Sequence, residues 1–273
     1  MSKISVFSIV KNEAAFIGVG VMSLLPYVDE IVYADGNSTD GTLEILDYIK
    51  KKYDTSDKIK VLKNMDCSDL KDDYVRLFNE TMKQCNADYL LYCHPDMILT
   101  DPGVLADSRL GDNNEFAYYV NIRSFAGEKI EKEIVKGRTN KWKTIMKNDF
   151  GLHYWGHYGH NDEDMYFRDI TGDEYVVHKD MSRYPFEVHD SGIKLWHLCE
   201  CKSLARREQK MENVARTVMG MTNHVHINDL LANHPRVTLR SDKNMFGEFQ
   251  FVERTEELPE AFKYQKEFEG VIR

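Results

Sequence analysis

The sequence has no long hydrophobic run, few prolines, few cysteines and no excess of basic residues, and each shortage closes off a class of protein. Its nearest approach to a membrane span, residues 16–28, is thirteen residues long and contains Gly18, Gly20 and Pro26, whereas a spanning helix needs about 20 apolar residues. Neither a transmembrane helix nor stable membrane insertion is expected. Met1-Ser2-Lys3 leads directly into the alternating segment Ile4 to Val10, without the basic, apolar and small-residue order of a secretion signal. A cytoplasmic location is therefore expected. The five cysteines, Cys67, Cys85, Cys93, Cys199 and Cys201, are odd in number and their only close pair is C-x-C, so reduced thiols are expected rather than a disulfide framework. Acids outnumber bases 45 to 36, and the net charge of −9 disfavours nucleic acid as the main partner. Six prolines and sixteen glycines among 273 residues, with 42% hydrophobic residues, exclude collagen-like, disordered and mini-protein chains and leave enough apolar material for a substantial core.

Over the first hundred residues, short apolar runs alternate with helical patterns, as in parallel strands joined by crossover helices. Strands are expected at about 4–10, 30–34, 59–64 and 88–93, with helices over Glu13 to Leu25, Thr42 to Lys52 and Leu70 to Gln84. Ligands of such a sheet lie beyond the carboxyl ends of its strands, which places functional residues just after Val10, Ala34, Asn64 and Cys93. After Asp96 the pattern turns mixed: β segments are expected over Phe116 to Phe125, Lys129 to Val135 and Lys141 to Met146, and a long helix from Ser203 to Met221. The economical division is one globular domain over residues 1–222 and a helical extension over 223–273.

The segment Tyr33-Ala34-Asp35-Gly36-Asn37-Ser38-Thr39-Asp40-Gly41-Thr42 closes a strand, turns and opens a helix with Thr39 or Asp40 as its N-cap. A capped turn accounts for Asp40, Gly41 and Thr42 but leaves Asp35 without a structural task. A carboxylate at that strand end can accept a hydrogen bond from a nucleobase or ribose.

Phe7-Ser8-Ile9-Val10-Lys11-Asn12-Glu13, followed by Asp29 to Thr42, resembles the opening of the family 2 inverting glycosyltransferases. The resemblance is good over residues 1–100 and looser over the next hundred. It implies the GT-A fold: an α/β, Rossmann-like nucleotide-sugar-binding architecture with a mostly parallel sheet, a mixed C-terminal half and here a helical extension. Residues 1–100 would form the nucleotide-binding half and 101–222 the acceptor half. Carried over, Val10, Asn12, Glu13 and Asp35 would hold the nucleoside. Asn37 stands where such sequences usually have glycine, and asparagine also tolerates a left-handed turn.

The fourth strand runs into Cys93-His94-Pro95-Asp96, where such enzymes usually carry Asp-x-Asp on a divalent ion. Asp96 matches the second acid and His94 replaces the first; a carboxylate suits Mg²⁺ or Mn²⁺, and an imidazole suits Mn²⁺ better. A strand-ending turn is the plainer account. His197, in Ile193 to Leu198, matches the late histidine that completes this metal site better than His189 does, with a core histidine as the alternative. Arg76 could contact the donor or pair on the surface with Asp72, Asp73 or Glu80.

Trp155-Gly156 and Asn161-Asp162-Glu163-Asp164 to Arg168 resemble the Glu-Asp-x-Asp-x-x-x-Arg element of these enzymes, with Asn161 in place of the first glutamate. The resemblance makes Asp162 the catalytic base, with Glu163 in reserve; an acceptor hydroxyl is a weak nucleophile that needs such a base. A solvated acidic helix start would show the same residues. His153, His157 and His160 could be read as a zinc cluster, but the neighbouring Tyr154, Trp155 and Tyr158 fit a sugar-binding loop better.

The resulting expectation is a metal-dependent hexosyl- or pentosyltransferase that uses Mn²⁺ or Mg²⁺ and a nucleotide diphosphate sugar, UDP-linked, with a hydroxyl-bearing glycan, lipid-linked sugar, protein or modified nucleobase as acceptor. The alternatives are a non-catalytic carbohydrate- or partner-binding protein on this fold, and a nucleotidyltransferase. The latter needs a Gly-rich phosphate cradle that Lys11-Asn12-Glu13 does not supply.

Overall fold

The computed structural model describes residues 2–65, 72–107, 117–136, 141–148, 153–156, 165–168, 174–177, 188–217, 221–244 and 247–272. The chain begins with β1 (Ile4–Val10), α1 (Ile17–Leu24), β2 (Glu30–Asp35), α2 (Thr42–Lys52), β3 (Ile59–Leu62), α3 (Asp72–Lys83) and β4 (Tyr89–Tyr92). Strands β4, β1, β2 and β3 lie side by side in that order and run parallel. Strands buried on both faces read as nearly unbroken apolar runs, and the runs in β1, β2 and β4 are buried along almost their whole length. The β1–β2 register sets Val10 opposite Asp35, so the two strands end level.

Next come β5 (Met97–Asp101), α4 (Val104–Asp107), β6 (Ala117–Ala126), β7 (Lys132–Lys136) and β8 (Lys141–Lys147). Strand β8 pairs antiparallel with β4. Strands β9 (His153–Gly156), β10 (Met165–Arg168) and β11 (Glu174–Val177) form a separate antiparallel sheet. The remaining elements are β12 (Val188–Glu200), α5 (Leu204–Thr217), α6 (His224–Asn233), α7 (Pro235–Thr238), β13 (Asp242–Asn244), β14 (Gly247–Glu253), a 3₁₀ turn (Glu260–Tyr264) and α8 (Gln265–Val271). None of the helices, among the described residues, is long and apolar enough to cross a membrane.

The chain divides into two compact units, one of Met1–Asn121, Lys141–Leu195 and Pro259–Arg273, the other of Ile122–Asn140 and Trp196–Leu258. This differs from the expected boundary at residue 222, and the segment beyond 222 is not wholly helical. Strands β13 and β14 form a hairpin, β14 pairs with β7, and residues 259–273 belong to the first unit. In the first unit, α3 lays Phe78 and Met82 on Phe7, Val32, Leu90 and Tyr92, with the Phe7 and Phe78 rings edge to face at 5.0 Å. In the second, Met211 and Ala215 of α5 meet Ile227, Leu230 and Val237, and Trp196 stacks on Phe125 at 4.1 Å.

Glu30 secures the amino-terminal end of the parallel strands. Its buried carboxylate accepts from Ser5 Oγ of β1 at 2.5 Å, from the Asn86 backbone N–H at 2.9 Å and from Lys60 Nζ of β3. Burial pushes the Glu30 carboxyl up, but Lys60, Ser5 and Asn86 together outweigh it and hold the group below its usual range. A carboxyl lowered by folding stabilises above its unfolded pKa and loses that contribution as pH falls through the folded value. Glu30→Gln should therefore destabilise the protein at pH 7 by about 1–3 kcal/mol, and the gap to wild type should narrow as the pH falls below about 4.3, where an ordinary glutamate takes up its proton. Urea unfolding of both proteins across that range measures the gap; one that stayed constant would remove the ionised carboxylate from the account.

Candidate functional site

Three asparagines take a left-handed backbone just past the ends of the first three strands: Asn12 at φ 56°, Asn37 at φ 61° and Asn64 at φ 60°. Asparagine tolerates this region better than other residues with side chains, and the expectation for Asn37 is met. The turns let the chain double back beyond β1 and β2, where the two loops bind each other. The Asn12 N–H donates to Ser38 Oγ at 2.9 Å, the Thr39 N–H to Asn12 Oδ1 at 2.8 Å and the Glu13 N–H to Thr42 Oγ1 at 2.8 Å. Asp40 accepts from the Ala14 N–H at 3.0 Å on one oxygen and from the Thr42 N–H and hydroxyl, at 3.1 and 2.5 Å, on the other. The N-cap of α2 is Gly41, at φ 94°, rather than Thr39 or Asp40. Asp40 reaches the first turn from one position earlier because the glycine supplies the left-handed step.

Asp35 lies beneath this lattice, 1% exposed. Its Oδ2 accepts from the Ser38 N–H at 3.0 Å, while its Oδ1 is buried with no hydrogen-bond partner. The Met65 N–H donates to the Asp35 carbonyl at 3.2 Å, tying the end of β3 to the same point. The structure thus brings Val10, Asn12, Glu13 and Asp35 to the same end of β1 and β2. It also gives Asn12 and the Glu13 amide a task the sequence does not announce, that of joining the two loops. Ser38, Asp40 and Thr42 are the members that sequence reasoning missed: a capped turn accounted for Asp40 and Thr42, and nothing singled out Ser38.

The turn His94-Pro95-Asp96 follows β4, next to β1. Asp96 is 4% exposed, and His94 Nε2 lies 3.3 Å from Tyr92 Oη. Arg76 is on the exposed side of α3 and pairs with Glu80 at 3.2 Å, the surface alternative considered for it. His197, 5% exposed, belongs to the second unit, so it is not placed relative to Asp96. Asp162 and Glu163 lie outside the described residues, as do His157 and His160. Among the described residues, no group of three or more His, Cys, Asp or Glu side chains gathers as a metal site.

The Asp96 turn is seated against α1 through Gly20. A Cβ at Gly20 would come within 2.4 Å of the Pro95 carbonyl oxygen, a backbone atom that cannot swing away. Gly20→Ala should destabilise the protein by about 1–3 kcal/mol through this overpacking, despite the roughly 1 kcal/mol that alanine gains within a helix. Gly270 of α8 has nothing within 4 Å of an added Cβ, and there alanine should stabilise by about 1 kcal/mol. Urea unfolding compares the two; a neutral or stabilising Gly20→Ala would show that the turn is not held there.

No curated protein matches the sequence. Among solved structures, the chain is similar to S. aureus TarS 1-349, with 15% identity, 86% of this chain and 70% of that one covered, and a TM-score of 0.43. It is also similar to the mannosyltransferase PcManGT from Pyrobaculum calidifontis in complex with GDP-Man and Mn²⁺, with 12% identity, 87% and 73% covered, and a TM-score of 0.44. A third is glucosyl-3-phosphoglycerate synthase from Mycobacterium tuberculosis in complex with Mn²⁺ and UDP-glucose, with 18% identity, 46% and 44% covered, and a TM-score of 0.32. Residues 5–171, which hold the parallel strands and the Asn12–Asp35 lattice, match the family model described as glycosyl transferase family 2, and the chain belongs to that family.

Proposed function

We propose that this glycosyltransferase works in the cytoplasm and moves a hexose or pentose from a UDP-sugar to an acceptor hydroxyl, with inversion at the anomeric carbon and with Mn²⁺ or Mg²⁺ bound. The observation that carries the reading is Asp35 Oδ1, a buried carboxylate oxygen with no donor at the carboxyl end of a parallel strand. Leaving such an acceptor unpaired costs roughly 1–3 kcal/mol or more. A nucleobase N–H is the donor this position suits. The backbone N–H groups of Asn12, Glu13 and Ala14 are all taken by side chains of the opposite loop. They are therefore not arranged as the backbone phosphate cradle that nucleotidyl transfer would use, which argues for a transferred sugar over a transferred nucleotide.

Asp96 and His94 have the chemistry of a divalent-cation donor set: a carboxylate and an imidazole two residues apart, at the end of a buried strand. One or two protein ligands are enough when substrate phosphates complete the sphere. His197 is assigned as a further ligand on the resemblance alone. When bound, the cation neutralises charge on the departing diphosphate. Asp162 is assigned the acceptor proton, with Glu163 in reserve, and Val10 closes the strand end beside Asp35. Arg76, which pairs with Glu80 on the exposed side of α3, is assigned a contact to the donor. The acceptor offers a hydroxyl on a glycan, a lipid-linked sugar, a protein or a modified nucleobase.

Titration calorimetry tests the donor side. UDP should bind more tightly with Mn²⁺ than without it, uridine should be indifferent to the metal, and Asp35→Ala should weaken both ligands. Loss of UDP binding alone would put Asp35 on the phosphates and reject the base contact.

The acceptor side is tested by Asp162→Asn, expected to lower transfer roughly 10²–10⁴-fold with UDP affinity unchanged. Full turnover would instead assign the proton to Glu163.

A further inference from the structure

The last helix lies along α2 in the opposite direction. Near its start, Glu267 accepts from Lys52 Nζ at 3.0 Å and from Tyr53 Oη at 2.8 Å, at the end of α2. Phe268, 2% exposed, fills the space left by the missing side chain of Gly18 in α1, where a Cβ would come within 2.2 Å of its ring. The Phe268 ring also meets Tyr48 edge to face at 6.5 Å. At the far end Ile272 reaches the start of α2, and a Cβ on Gly41 would lie 2.3 Å from Ile272 Cγ2. Gln265 Nε2 meanwhile donates to the Ala15 carbonyl at 3.2 Å, in the loop that follows β1. This short segment therefore touches both loops that form the Asp35 lattice.

Gly41 is the point at which such contact has most effect. It stands between Asp40, which holds the Ala14 and Thr42 amides, and Thr42, which holds the Glu13 amide. A left-handed glycine without a Cβ is the most permissive backbone position in the loop, so an outside contact must limit what the hydrogen bonds alone leave free. Ile272 is 44% exposed and adds little to the core, so its contact with Gly41 is better suited to restraining a loop than to stabilising the fold.

From this we infer that α8 is a brace and Ile272 a positioning residue, setting the conformation of the 36–42 loop and, through Asp40 and Ser38, the attitude of the Asp35 carboxylate. The consequence for donor affinity rests on the reading of Asp35 as the nucleoside contact. Ile272 touches no reacting group; it acts through Gly41.

The test uses the full chain with Ile272→Ala and Ile272→Val. Hydrogen exchange at the amides of residues 36–42 should quicken in Ile272→Ala and return to the wild-type rate in Ile272→Val, which keeps a β-branched contact. UDP binding by calorimetry should weaken roughly 2- to 30-fold in Ile272→Ala, the range for residues that act through a neighbour, and recover in Ile272→Val. Urea unfolding of both variants should stay close to wild type. Unchanged exchange over 36–42 in Ile272→Ala would overturn the brace. Quickened exchange in a protein whose wild type binds no UDP would uphold the brace and reject the nucleoside reading, so the two failures are distinguishable.

Discussion

Backbone N–H groups beyond the end of a strand must find partners, and the way Asn12, Glu13 and Ala14 find theirs governs the rest of this site. Water would satisfy them in an open loop, and a phosphate would in a glycine-rich cradle. Here Ser38, Thr42 and Asp40 satisfy them, from a loop some 26 to 29 residues further along the chain. Two independent crossovers thereby become one lattice, and Asp35 is held at its base with one oxygen bonded and the other unpaired. The lattice forms only if β1 and β2 end level, which the register of Val10 with Asp35 ensures. The same register sets Ser5 opposite Glu30 at the other end of the sheet, where Glu30 ties Ser5 and Lys60 together.

Much of this fold is legible because fully buried parallel strands are written as apolar runs bounded by turn residues. Strand β1 falls at 4–10 as expected, and β2 extends the expected run by a single residue, Asp35. Helix α1 begins at Ile17 rather than Glu13, because Phe16 takes a non-helical backbone at φ −134° after a turn in which the Glu13 carbonyl accepts from the Phe16 and Ile17 amides. Strands β13 and β14 are missed for a different reason. Strand β13 is only three polar residues, and the alternation of Phe249 and Phe251 with Glu248 and Gln250 in β14 becomes a strand by pairing with β7, more than a hundred residues earlier.

The candidate site divides along the same line. Asp35 can be picked out as a candidate from its position at a strand end, and Asp96 only through the resemblance of its segment. The left-handed turn of Asn37 is legible as well, because few other residues with side chains tolerate it. Partnerships are not legible. No spacing pairs Asn12 with Thr39, seats Pro95 on Gly20, or brings Ile272 to Gly41 across more than two hundred residues. Glycine is the one hint that remains in the sequence. Gly18, Gly20 and Gly41 each stand where another part of the chain comes too close for a Cβ, and two of them lie inside a helix, where glycine would otherwise be a liability.

The charges constrain the chemistry further. The protein carries a net charge of −9, and both acids assigned to the donor, Asp35 and Asp96, are almost completely buried. A diphosphate brought among such groups would be repelled, and the repulsion grows as water is excluded. Two arrangements relieve it, and they act on different acids. Asp35 is compatible with an anionic donor if it faces the base, whose N–H groups bring partial positive charge, and not the phosphates. Asp96 is compatible if a cation stands between its carboxylate and the phosphate oxygens. On the proposed reading, the two buried acids and the anionic donor are reconciled by orientation at Asp35 and by a cation at Asp96, so the two assignments stand or fall together.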